Sequence, residues 1–152
     1  MAERVAHLSF HDGLHREAEA EDEDDDSFED FSGVAMDACL EVHKHLGPGL
    51  LEFAYEECLA HELALRGVRF ERQRRVALAY KGMRLDSGYR VCLVVEGSLA
   101  IEIKAVEQVL PVDQEQLLTY MRLMRLPTGL LVNFHAAVLR NGIRRLGRFR
   151  GM

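Results

Sequence analysis

From Phe31 to Leu46 the apolar residues Val34, Ala38, Val42 and Leu46 recur at every fourth position, which predicts a helix with one buried stripe. Gly47-Pro48-Gly49 ends it. Leu51, Ala54, Tyr55, Cys58 and Leu59 mark one face of a second helix running from Leu51 to about Arg66, with Gly67 as its stop and Glu52 near the edge of that face. Beyond Gly67 the period falls to two. Val68 and Phe70, then Val76, Leu78 and Tyr80, alternate with charged or small residues as in a half-buried strand, and Lys81-Gly82 makes a turn. Met83 to Val95 and Leu99 to Ala105 read as two further strands joined across Glu96-Gly97-Ser98. Pro111 starts a helix that runs to about Arg125, and Gly129 to Phe134 is an apolar run suited to a buried strand. The predicted order is helix, three-strand meander, helix, strand: an α/β domain.

The pattern also fixes a register. Val91, Leu93 and Val95 are apolar at odd positions, as are Leu99, Ile101 and Ile103, so burying both sets on one face requires odd residues to pair with odd. A three-residue loop does this and sets Val95 against Leu99, whereas a two-residue loop exposes one apolar set. The same register puts Cys92 opposite Glu102, with Cβ atoms about 5 Å apart. The face opposite the apolar one then carries Arg90, Cys92, Glu102 and Lys104.

Charge divides the 152 residues. Residues 1–30 hold 12 of the 25 acidic residues and only Arg4 and Arg16, leaving 13 acids against 17 bases in residues 31–152. Glu21 to Asp26 is unbroken carboxylate, so residues 1–30 are expected to be a disordered tail. Such a run ordinarily serves as a solvating leader; the functional reading is mimicry of nucleic-acid phosphate in competition for the basic domain. His7, His11 and His15 have the spacing of a helical metal clamp, but Gly13 and the short length oppose a stable helix there. Residues 31–146 are the expected domain and 147–152 a basic C-terminal tail. Arg140, Arg144, Arg145, Arg148 and Arg150 form a basic strip suited to a phosphate backbone, or simply to solubility.

No apolar stretch approaches the roughly 20 residues a membrane span needs, and charge stands where a signal peptide has its apolar region, so the cytoplasm is the expected compartment. Cys39, Cys58 and Cys92 are odd in number and form no CxxC pair, which predicts reduced thiols rather than a disulfide framework or zinc site.

Glu102 is a hard oxygen ligand suited to Mg²⁺ or Mn²⁺, and the Ile103 carbonyl beside it is another. Lys104 is placed to orient a metal-bound water and to stabilise charge developing on a phosphoryl oxygen. Alone, Glu-x-Lys on a strand is a common solvated ion pair. The residues around it carry more. Gly49, Glu52 and Tyr55 lie within GPGLLEFAYEECLAHEL, and YKGMRLDSGYR, IEIKAVEQVLP, QLLTYMRL and GLLVNF follow in order. Over most of residues 33–146 this resembles the GxxExxY proteins of the PD-(D/E)XK nuclease superfamily. The resemblance implies a restriction-endonuclease-like core, a mixed central sheet flanked by helices, and metal-dependent hydrolysis of nucleic-acid phosphodiesters, with DNA favoured over RNA as partner.

By the same resemblance Glu102 and Lys104 match the (D/E)xK pair, and Glu52 matches a helical glutamate that approaches the metal. Gln116 and Tyr120 match a Q-xxx-Y element that supports the site, and their spacing puts both on one helix face. Arg90, Arg144, Arg145 and Arg148 are the candidate phosphate contacts. One position departs: where the family has its metal-binding aspartate, in a pattern resembling YRxDLxV, this chain reads YRVCLVV. A thiol must lose a proton to bind metal and is then a soft ligand. Asp86 and Glu96, six and four residues from Cys92, are roughly 20 and 13 Å away along an extended strand and do not reach it without a bend, which Ser87-Gly88 offers near Asp86. The expectation is a weakened nuclease holding Mg²⁺ or Mn²⁺ poorly, the alternative an inactive nucleic-acid-binding or protein-interaction module on the same fold.

Overall fold

The computed structural model describes residues 30–86 and 88–147. The leader up to Glu29 with its three histidines, Arg148 and Arg150, and Ser87 lie outside the described residues. The chain runs α1 (Ser32–Leu46), α2 (Glu52–Leu65), β1 (Phe70–Arg75), β2 (Leu78–Tyr80), β3 (Met83–Leu85), β4 (Arg90–Val95), β5 (Leu99–Lys104), α3 (Pro111–Met124), β6 (Thr128–Asn133), a 3-10 turn (Leu139–Gly142) and β7 (Ile143–Gly147). The main sheet has the order β1-β4-β5-β6-β7. β5 and β6 are parallel, joined by the α3 crossover, and every other neighbouring pair is antiparallel. β5 is thus the middle strand, with α1 and α2 packed on one face of the sheet and α3 on the other. Coverage on both faces explains why β6 is apolar almost throughout.

The hairpin register is the one the pattern requires: Val95 faces Leu99, Val94 faces Ala100 and Leu93 faces Ile101. Glu96 and Gly97 take positive φ at 51° and 66°, and the Ser98 N–H closes the loop onto the Val95 carbonyl at 2.9 Å. The Lys81-Gly82 turn also stands, joining β2 to β3.

Other expectations are corrected. The first strand of the meander is β1, the charged segment Phe70–Arg75, not the alternating run around Val76. The expected Met83 to Val95 strand is broken: β2 and β3 form a separate two-stranded hairpin inserted between β1 and β4. β7, hidden within the expected basic strip, adds an edge strand held by buried Leu146 and half-buried Ile143. In α1 the buried stripe is Ala35, Ala38, Cys39 and Val42, the i, i+3, i+4, i+7 face of a 3.6-residue helix. A strict every-fourth row drifts around such a helix, which carries Leu46 out to the surface. Leu51 precedes α2 and is 71% exposed, not part of its buried face.

The most consequential correction is at Cys92. Leu93 and Val95 enter the cluster under α1 and α2, but Val91 joins Val94 in the cluster under α3, and Cys92 packs against the α1/α2 side. Alternation therefore breaks between Leu93 and Val91, and Cys92 is not simply in line with Arg90, Glu102 and Lys104. The ladders lapse at the same place. Pairing with β1 skips from Arg72–Leu93 to Arg74–Val91, with Gln73 between them at φ 51°, and pairing with β5 stops at Leu93–Ile101.

Candidate active site

Where β4 and β5 stop pairing, side chains take over the bonds. The Cys92 backbone N–H donates to Glu102 Oε1 at 3.4 Å, and the Ile103 N–H meets the Cys92 sulfur. In a strand the N–H and C=O of one residue point the same way, so the Ile103 carbonyl also faces this opening. Glu102 and Lys104 are half-buried on the middle strand beside it.

Burial dominates the electrostatics. It pushes the Cys92 thiol up to about 12, helped by the negative charges of Glu102, Glu56 and Glu52 and opposed by the Ile103 N–H. Burial thus keeps the proton on this thiol at neutral pH, against the thiolate form that a nucleophile needs. Burial also lifts the Glu102 carboxyl to about 7; the Cys92 N–H, Lys104 and the thiol act against this, and Glu52 adds to it. Near neutrality this carboxylate is ionised only about half the time. Burial raises the Tyr120 hydroxyl as well, with smaller contributions from Glu102 and Tyr89.

The expected site residues are brought together in part. Glu102, Cys92 and Lys104 adjoin, buried Tyr120 lies within the field of Glu102, and its ring meets that of Tyr89 at 5.8 Å. Glu52 begins α2, exposed, and acts on Glu102 and Cys92 through its charge. Gln116 is exposed one turn before Tyr120. Arg90 is exposed at the start of β4. The basic strip divides, because neighbouring residues of β7 point to opposite faces of the sheet. Arg144 donates to Gln114 on α3 at 3.1 Å, whereas Arg145 crosses to Ser32 Oγ at 3.0 Å and to Asp30 at 2.6 Å.

Asp113 and Asn133, which hold this region, escaped the sequence reading, as did the bonds that Tyr55 makes. Asp113 pairs with Lys104 at 3.5 Å while its other oxygen accepts the Leu110 N–H at 2.8 Å, so one carboxylate starts α3 and anchors the lysine. Its place two residues after Pro111, in the first turn, was the available signal. Asn133, opposite Lys104 in the parallel register, accepts from Val106 N–H at 3.1 Å and donates to the Val106 carbonyl at 2.9 Å, fixing the chain as it leaves β5. Tyr55 stacks on Phe134 at 4.5 Å, donates to the Gly47 carbonyl at 2.6 Å and accepts from Leu50 N–H at 3.1 Å. Tyr55 thus ties down, through Gly47 and Leu50, the loop that delivers Glu52.

The oxygen donors available to a divalent cation are the Glu102 and Glu52 carboxylates and the Ile103 carbonyl. They do not fit a hard cation well. Among the described residues no three His, Cys, Asp or Glu side chains form a metal-holding group, and the fourth candidate, Cys92, presents a protonated thiol. A depression of about 300 Å³ near the end of β6, lined by Gln108, Asn133, His135 and Arg144 among others, includes none of these donors.

A mixed sheet with Glu-x-Lys on its middle strand, helices on both faces and an opening at the end of a β-hairpin defines a nuclease-type scaffold. A family model described as the PD-(D/E)XK nuclease superfamily matches residues 29–146, and the chain belongs to that superfamily. No curated protein and no solved structure matches it. No helix among the described residues is long and apolar enough to cross a membrane.

Proposed function

We propose that this protein binds nucleic acid, DNA in preference to RNA, on a nuclease scaffold whose phosphodiester hydrolysis is weakened at one position, Cys92. The observation that carries this reading is the placement of Cys92, whose backbone N–H donates to Glu102 Oε1 at 3.4 Å, so that a sulfur side chain stands beside the Glu102 carboxylate where the resemblance calls for an aspartate. Without that ligand Mg²⁺ or Mn²⁺ has too few charged donors.

What remains for a residual reaction is supplied by the chain itself. Lys104, held by Asp113, stabilises negative charge growing on a phosphoryl oxygen. Glu102, titrating near 7, accepts a proton from an attacking water, as a base matched to the ambient pH does best. Tyr120 and Gln116 support this side of the site, and Arg90, Arg144 and Arg148 take phosphate contacts. Arg145 joins them only by giving up Asp30.

The test is cleavage of labelled single- and double-stranded DNA in Mn²⁺ by the natural chain, Cys92→Asp and Cys92→Asp/Lys104→Ala. We expect Cys92→Asp to cut at least about 100-fold faster than the natural chain, in the range one well-placed catalytic group contributes, and the double variant to lose that gain. Equal rates for the natural chain and Cys92→Asp would overturn the assignment of the defect to Cys92. The lack of a three-ligand group favours a second reading, a pure binding module, which would show as DNA binding with no cleavage by any of the three chains.

A further inference from the structure

The β2–β3 hairpin stands apart from the five-stranded sheet, and its residues enter neither of the two buried clusters. Its cross-strand partners Leu78 and Leu85, and Tyr80 and Met83, share one face, because directly opposed residues point the same way. Tyr80, Met83 and Leu85 are 62%, 54% and 46% exposed. An apolar, aromatic face this open needs a reason, since a two-stranded hairpin stabilises itself only marginally in water.

The base of the hairpin is clamped to the domain. Val76 is buried against the α3-side cluster, its N–H donates to the Tyr89 carbonyl at 2.9 Å, and Arg75 pairs with Asp86 across the same base. The exposed face is therefore held out from the sheet by an anchored root.

Charge says what it meets. Residues 66–90 contain eight Lys and Arg against two acidic residues. Arg72, Arg74 and Arg75 are committed to Glu56 and Glu57, Glu71 and Asp86. Lys81, Arg84 and Arg90 have no ion pair among the described residues, and the Lys81 ammonium lies 5.3 Å from the Tyr80 ring centre. Unpaired cations interleaved with exposed aromatic rings are the chemistry of a strand whose phosphates and bases are both accessible. A duplex hides its base faces in the stack and offers Tyr80 nothing to cover. The path also leads somewhere: Tyr89, at the root, is in ring contact with Tyr120 of the candidate site.

We infer that the β2–β3 hairpin is a platform for single-stranded nucleic acid. An unpaired base stacks on Tyr80 among Met83 and Leu85, Lys81 at the turn and Arg90 at the root meet the flanking phosphates, and Tyr89 directs the strand toward Glu102 and Lys104. This rests on the nucleic-acid reading above but not on cleavage.

The experiment is fluorescence anisotropy of the full chain with labelled oligothymidylate of about 20 nucleotides, longer than the roughly 4–16 such a platform covers, and with the matching duplex. The single strand should bind more tightly than the duplex. Tyr80→Ala should weaken single-strand binding at least about fivefold, the lower end for loss of one stacked base, and Tyr80→Phe should restore it. Lys81→Ala/Arg90→Ala should reduce the slope of log affinity against log salt by about 1.4, two phosphates at about 0.7 each. These side chains are exposed, so unchanged thermal unfolding accompanies each variant. Duplex binding that none of these variants alters would overturn the platform and leave the nucleic-acid reading standing. Tyr80-dependent single-strand binding by a chain that stays silent even as Cys92→Asp would keep the platform and remove the catalytic reading. A dimer dissociated by Tyr80→Ala with unchanged oligonucleotide affinity would assign the face to a second copy of the chain instead.

Discussion

At the scale of single residues, the site is governed by how deeply two neighbouring groups are buried. Glu102 titrates near 7, above its ordinary 4.5, so the fold favours its neutral form. Its contribution to stability is full below about 4.5 and is lost as pH rises through about 7. Glu102→Gln removes that loss. Relative to the natural chain it should gain stability between pH 5 and 8, on the order of 3 kcal/mol, read as a widening difference in unfolding midpoint. A difference constant with pH would refute the burial of an ionisable Glu102. The pairing of Val95 with Leu99 was legible in the sequence because apolar alternation left one register that buried both strands, but that ladder stops at Leu93–Ile101, and Cys92 reaches Glu102 through its backbone N–H instead of a cross-strand pair. The break in alternation at Cys92 was not legible. Val91 is apolar on either face, and the cause lies across the ladder, in the left-handed Gln73 held by its side chain to Glu56 at 2.9 Å.

At the scale of elements, helices and buried strands were legible and the edges were not. α1, α2, α3, β5 and β6 carry their period or apolar run within their own residues, and the structure alters their limits by one or two positions. β1 and β7 are edge strands, FERQRR and IRRLG, whose exposed charges mask the little they cover, half-buried Phe70 in one and buried Leu146 in the other. Tyr55 shows how an element's boundary is tied to the site. Tyr55→Phe keeps the ring stack on Phe134 but abandons the Gly47 carbonyl and the Leu50 N–H. We expect a loss of about 1–2 kcal/mol in chemical denaturation and faster hydrogen exchange at Leu50. Unchanged exchange at Leu50 would show that the loop before Glu52 is held by something else.

At the scale of the whole molecule, the sheet separates two kinds of arginine that the sequence grouped as one strip. Arg145 ties β7 to the start of α1 through Ser32 and Asp30, whereas Arg144 reaches only the exposed side chain contacts of α3. Arg145→Ala should therefore lower the urea midpoint, by about 1 kcal/mol for an exposed, hydrogen-bonded pair, and Arg144→Ala should leave it within about 0.5 kcal/mol of the natural chain. Equal losses would mean that β7 is not anchored in this way. The same global arrangement keeps the nuclease scaffold intact around its altered position: Lys104 remains anchored by Asp113, Glu52 remains delivered by the Tyr55 loop, and the middle strand remains covered on both faces. The proposed defect is a single carboxylate absent from a standing frame. Calorimetric titration of Mn²⁺ into the natural chain and into Cys92→Asp at neutral pH tests it most directly. The account predicts at least about tenfold tighter binding by Cys92→Asp, since a charged oxygen donor replaces a protonated thiol. Equal affinity in the two chains would contradict it.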